Sequence, residues 1–148
     1  MSTSVKEKAE EKEKEKEKVK VGLIGAGRIG QLHAEHLRVR LPEADLVVVA
    51  DAMPGAAEAC AARWGIPSVA ADYRAVLDYP GVEAVVVCSP TDTHSDIIEA
   101  AAAAGRHVFC EKPLDVNLAR IDRVLESVRR AGVLLQVGFN RRFDPEFA

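Results

Sequence analysis

The chain predicts an α/β domain with a doubly wound parallel sheet of about six strands, preceded by a charged amino-terminal tail. Two observations carry that expectation. From Val19 onward, apolar runs of strand length alternate with longer segments of helical period, the signature of consecutive strand–helix–strand units. A glycine-rich turn, Gly25-Ala-Gly27-Arg28-Ile29-Gly30, stands between the first such run and the first such segment, and Asp51 closes the second run.

Residues 1–18 form the tail, and Lys and Glu alternate almost strictly from residue 6 to residue 20, which in a helix would set opposite charges at i,i+3 but like charges at i,i+4. They read as a solvated, disordered low-complexity tail, and residues 19–148 as the folding unit. The first strand is Val19–Ile24, followed by a helix from Arg28 to Arg40 that Pro42 closes. Leu46–Ala50 is too continuously apolar to have a wet face and forms the second strand. Pro54 is placed to open a helix reaching Trp64, and Gly65-Ile66-Pro67 turns the chain into a short third strand.

Asp72 is an N-cap candidate for a short helix ending near Asp78, and Pro80-Gly81 feeds the fourth strand, Ala84–Cys88. An alanine-rich helix from Thr93 to Ala104 stops at Gly105 before strand His107–Cys110. A last helix from Asn117 to Ala131 stops at Gly132 before strand Val133–Gly138.

Composition narrows the function classes. The formal net charge of −3 offers no bulk attraction for nucleic acid phosphates. No apolar run approaches the ~18 residues of a membrane span, and no apolar segment of export type follows the initial charges. Cys60, Cys88 and Cys110 are odd in number and scattered through apolar or strand-like contexts, which suits reduced thiols in the cytoplasm and argues against a metal site.

The glycine-rich turn gains meaning from its position between strand and helix, and it specifies a Rossmann-type dinucleotide site. Gly25 permits the tight turn, Gly27 lets backbone approach a pyrophosphate, and Gly30 allows close packing of helix on strand. Arg28 and Ile29 sit in the first turn, where unpaired amides and the positive end of the helix dipole meet phosphate. Asp51 follows Gly30 at the roughly 20-residue spacing at which a carboxylate accepts from the adenosine ribose hydroxyls. No cation at Ala52 or Met53 stands ready for a 2′-phosphate, so NAD is favoured over NADP. S-adenosylmethionine enzymes share these two features, and they alone do not exclude a methyltransferase.

Beyond the fourth strand comes Cys88-Ser89-Pro90-Thr91 and then His94, and beyond the fifth comes Glu111-Lys112-Pro113. With Gly25-Ala-Gly-Arg-Ile-Gly30 followed by His33, residues 19–148 closely resemble the amino-terminal domain of the Gfo/Idh/MocA oxidoreductases. The stretch Gly138-Phe-Asn-Arg-Arg-Phe-Asp-Pro145 is most similar to the inositol 2-dehydrogenase branch. Lys112 also stands out without that resemblance, as the only lysine after Lys20 in a domain whose remaining cations are arginine. A lysine can release its proton when desolvated and an arginine cannot.

The resemblance implies that Lys112 is the catalytic residue, bonding the polyol or sugar hydroxyl that is oxidised while NAD accepts the hydride. It implies a Pro113 turn with a cis peptide bond before it, Glu111 near the nicotinamide ribose, and Ser89, Pro90, Thr91 and His94 along the cofactor cleft. His94 is equally placed to be an ordinary helix-start residue. Asn140 and Arg141 would face the polyol, whereas Arg142 suits a structural ion pair, and His33 and His36 suit helix-surface or packing positions.

Family members continue into a second α/β domain that completes the polyol site and forms the oligomer interface. The sequence ends at Ala148, so the expectation is a chain that binds NAD with little or no turnover of its own. The face turned toward that domain would favour self-association. A stand-alone or engineered dinucleotide-binding module without catalysis is the second reading.

Overall fold

The computed structural model describes residues 17–147, so all but the last two residues of the predicted tail lie outside the described residues. Six parallel strands form one sheet in the order β3-β2-β1-β4-β5-β6. They are β1 (Val19–Ile24), β2 (Ala44–Ala50), β3 (Ser68–Val69), β4 (Ala84–Val87), β5 (His107–Glu111) and β6 (Leu135–Gly138). The intervening helices are α1 (Arg28–Glu35), α2 (Ala56–Trp64), α3 (Tyr73–Leu77), α4 (Thr91–Ala103) and α5 (Leu118–Ala131). The sheet is the doubly wound arrangement expected from the alternation of apolar runs.

Successive strand side chains point to opposite faces, and the sheet sorts them into two cores. On one face Ile24, Val85, Val87 and Cys110 meet Val76 of α3, Ile98 of α4 and Val124 of α5. On the other, Leu23, Val49 and Val86 meet Ala34 of α1 and Cys60 of α2. Both faces are covered, which is why the central strands read as continuous apolar runs rather than alternating ones.

Several boundaries differ from the sequence expectation, three of them for a clear local reason. Pro54 does not open α2: Met53-Pro54-Gly55-Ala56 is a turn in which Ala56 N–H donates to Met53 O at 3.2 Å and Gly55 takes φ +78°, so the helix starts at Ala56. Proline followed by a positive-φ glycine is the type II turn signal, and it outcompetes proline's aptitude for a first helical position. The segment after α1 widens at His36–Arg40, where Leu41 N–H donates to His36 O at 3.0 Å, one residue beyond the α-helical partner. Leu41 is extended, as the residue before a proline prefers. β6 begins at Leu135 rather than Val133, because Leu134 N–H is taken by His107 Nδ1 at 3.0 Å.

The predicted cap at Asp72 holds, and Asn117, expected as the start of the last helix, caps it instead. Asp72 accepts from Ala75 N–H at 2.9 Å at the start of α3, and Asn117 accepts from Arg120 N–H at 3.2 Å at the start of α5. A short 3₁₀ turn at Asn140–Phe143, which the sequence did not suggest, follows β6.

Between β5 and α5 the chain is anchored by a buried carboxylate. Asp115 accepts from Ser95 Oγ of α4 and from Asn117 N–H, and Arg120 Nε lies 3.3 Å away. The Ser95 hydroxyl foremost, then the Asn117 amide, hold the Asp115 carboxyl below the ordinary carboxylate range. A depressed folded-state pKa stabilises the native state above the unfolded value and that contribution is lost as pH falls through the folded value. Ser95→Ala should therefore lower the urea midpoint at neutral pH and shrink its fall on acidification, which denaturation curves at neutral and acid pH measure.

Candidate functional site

The chain order reverses between β1 and β4, and the crevice at their carboxyl ends is where doubly wound sheets take ligands. A cavity of about 940 Å³ opens there, reached by the turns after β1, β2 and β4 and by the start of α3.

The glycine turn shows why three glycines are needed. Gly25 has φ +99°, and a Cβ on it would lie 2.5 Å from the Cys88 carbonyl carbon. A Cβ on Gly30 would lie 1.9 Å from Gly25 O, so α1 can sit on the turn only without one. Gly27 differs: nothing lies within 4 Å of a Cβ built on it, although it lines the cavity. That open space is what a ligand approaching backbone requires. Gly27 makes no side-chain cap for α1, which leaves first-turn amides for an anion.

Asp51 is half-buried and fixed on both oxygens. Ala26 N–H donates to Oδ2 at 2.6 Å, and Met53 N–H donates to Oδ1 at 2.7 Å. These bonds tie the end of β2 to the glycine turn and leave further lone pairs on each oxygen for a diol. The residues present therefore fit a dinucleotide: an open amide cradle beside a fixed carboxylate.

Across the crevice, Ser89 and Pro90 line the cavity after β4. Thr93 Oγ1 donates to Pro90 O at 2.7 Å and lies 2.7 Å from Ser89 Oγ, which stiffens this wall. Cys88 also lines it; burial above all, then the charge of Glu111, pushes its thiol far above the ordinary range. Burial, then Glu111, pushes the Cys110 thiol up to about 12. Neither is a thiolate at neutral pH.

The remaining sequence candidates do not line this cavity. Arg28 and Ile29 are exposed on the first turn of α1, and Thr91 is half-buried at the head of α4. His94 corrects the expectation that it lines the cleft. It is 1% exposed on the buried face of α4, with Nδ1 2.9 Å from Pro113 O and Nε2 2.9 Å from Ser89 O. Glu111 Oε1 lies 2.7 Å from His33 Nε2, a pairing the sequence did not suggest. Lys112 is exposed, and its bond to Pro113 is cis. Asn140 and Arg141 are exposed in the 3₁₀ turn. Arg142 makes no ion pair among the described residues; its guanidinium lies over the Phe139 ring at 4.9 Å.

Tyr73 and Arg74 were missed. Both line the cavity from α3, with the Arg74 guanidinium 4.6 Å from the Tyr73 ring centroid. No cation directly follows Asp51 in the chain, whereas the adjacent strand β3 delivers α3, with Arg74, to the same crevice. The preference for NAD thus rests on the Asp51 carboxylate and not on a want of cations.

The sequence profile of an oxidoreductase family, described as having an NAD-binding Rossmann fold, matches residues 19–139. The chain is 48% identical over 126 residues to an inositol 2-dehydrogenase of Rhizobium meliloti, covering 85% of this chain and 37% of that protein. It is 43% identical over 127 residues to a myo-inositol 2-dehydrogenase of Thermotoga maritima, covering 86% and 38%. A solved structure of scyllo-inositol dehydrogenase from Lactobacillus casei, with bound NAD(H) and scyllo-inositol, superposes with a TM-score of 0.82 at 29% identity, covering 87% of this chain and 38% of that one. The chain therefore spans a little over a third of the length of these proteins.

The two glycines that differ most in surroundings make a paired test. Gly27→Ala should leave stability nearly unchanged and weaken NAD roughly tenfold, about 1.4 kcal/mol, because its methyl enters the cradle. Gly30→Ala should cost about 1–3 kcal/mol of stability through overpacking. Thermal melts and calorimetric titration separate the two outcomes.

Proposed function

Since the chain belongs to the Gfo/Idh/MocA oxidoreductases and carries their NAD-binding Rossmann domain, we propose that it is the cofactor-binding part of an inositol 2-dehydrogenase-like enzyme oxidising a polyol or sugar hydroxyl. The observation that carries this reading is the open space at Gly27 beside an Asp51 carboxylate already fixed by two amides. First-turn amides of α1, at Arg28, Ile29 and Gly30, hold the pyrophosphate, and Asp51 holds the adenosine ribose diol. When bound, NAD supplies the hydride acceptor.

Lys112, at the carboxyl end of β5, bonds the substrate hydroxyl and steers its proton. Ser89, Pro90 and Thr91 border the nicotinamide side, with Glu111 beside its ribose. Asn140 and Arg141 reach toward the polyol.

Lys112 is exposed in this chain, so a further domain provides the desolvation and the partner groups that oxidation needs. Leu134, Phe139, Phe143 and Phe147, exposed at 72%, 46%, 80% and 60% along the β6 edge, support a face that meets such a domain or a second copy. Three free cysteines support a cytoplasmic setting, and among the described residues no helix is long and apolar enough to cross a membrane.

Calorimetry with NAD, NADH and NADPH on the wild type and on Asp51→Ala tests the reading. NADH should bind more tightly than NADPH, and Asp51→Ala should lose about 1–3 kcal/mol of NADH binding while narrowing the gap. Equal affinities for the two reduced cofactors in the wild type would remove Asp51 from its role. Mixed with myo-inositol and NAD, this chain alone should produce no steady flow of NADH; sustained turnover would refute the need for a second domain.

A further inference from the structure

Lys112 has no side-chain hydrogen bond or ion pair among the described residues, yet the residues on either side of it are gripped by histidines from two different helices. Ahead of it, Glu111 Oε1 lies 2.7 Å from Nε2 of His33 on α1, whose ring packs on Phe109 with centroids 5.1 Å apart. Behind it, Pro113 O lies 2.9 Å from Nδ1 of His94 on α4. The other nitrogen of that ring lies 2.9 Å from Ser89 O, in the wall of the cofactor cavity. At 1% exposure His94 is shut off from any ligand, so its two contacts are wholly internal.

A buried imidazole is a costly way to fill space unless its polar atoms are used, and here each ring nitrogen faces a carbonyl oxygen of a neighbouring loop, to one of which a neutral ring donates. His33 belongs to the helix whose first turn forms the glycine cradle, and His94 to the helix that follows Ser89 and Pro90. The two walls of the cofactor crevice thus each hold one end of the Lys112 turn.

We propose that His33 and His94 are positioning residues that set the Lys112 turn against the cofactor crevice, so that the lysine takes its place relative to the dinucleotide from its neighbours rather than from contacts of its own. The inference rests on the reading of the crevice as the NAD site and of Lys112 as the residue that meets the substrate hydroxyl. A side chain held this way keeps its donors free for a ligand, while its backbone is fixed on both sides.

Acylation of the full chain with an amine-reactive ester, followed by peptide mapping, reads the position of Lys112 directly. No other lysine lies beyond residue 20, so its peptide is separate and the tail lysines serve as an internal standard. In the wild type, saturating NAD should slow acylation of Lys112 several-fold and leave the tail unaffected. At saturating NAD, His33→Asn, too short to reach Glu111, should lose most of that protection, and His33→Gln, long enough to donate to it, should keep it. His94→Phe should lose it as well. Because emptying a buried polar site can unfold the domain, the half-exposed His33 pair decides the matter if His94→Phe does not fold. Full protection in His33→Asn, or NAD binding to the wild type without protection of Lys112, overturns the inference. A wild type that does not bind NAD at all overturns the functional reading instead.

Discussion

The close approach of α1 to the glycine turn is the constraint on which the rest depends. A Cβ at Gly30 would stand 1.9 Å from Gly25 O, and one at Gly25 would stand 2.5 Å from the Cys88 carbonyl carbon. Helix, turn and the end of β4 are thus packed backbone to backbone. That contact brings the amino terminus of α1 to the crevice at the β1/β4 reversal and lets Ala26 N–H meet Asp51. Moving the helix outward by even a methyl group would open the cradle and lengthen the bond that holds the carboxylate.

Much of this was legible in the sequence because it depends on local rules. The alternation of apolar runs with helical segments specified all six strands and the five helices between them, and Asp72 announced its helix as a cap does. Gly25, Gly27, Gly30 and Asp51 were found from spacing because the motif lies within one strand–helix–strand unit. The misreading at Pro54 was a contest between two local signals, a first-position proline and a proline–glycine turn, which a positive φ at Gly55 settles.

What the sequence withheld depends on residues far apart in the chain. Arg74 enters the cavity because β3 pairs beside β2, and His33 reaches Glu111 because β5 ends under α1; neither approach follows from spacing. For His94 the sequence left a cleft-lining and an ordinary helix-start role open, and the structure turns its ring into the core. Lys112, the one lysine beyond Lys20 among arginines, remains the clearest compositional clue to chemistry, and the structure adds that the residues on either side of it meet His33 and His94.

Asp51 spends both oxygens on backbone amides before any ligand arrives. The cost of ordering that recogniser is met during folding, so an incoming diol finds its acceptors preset. The same economy couples coenzyme choice to the architecture of the cradle. Exchanging Asp51 for a residue friendly to a 2′-phosphate would also release the Ala26 and Met53 amides, so a switch of coenzyme calls for a compensating change in the glycine turn and not for one replacement alone.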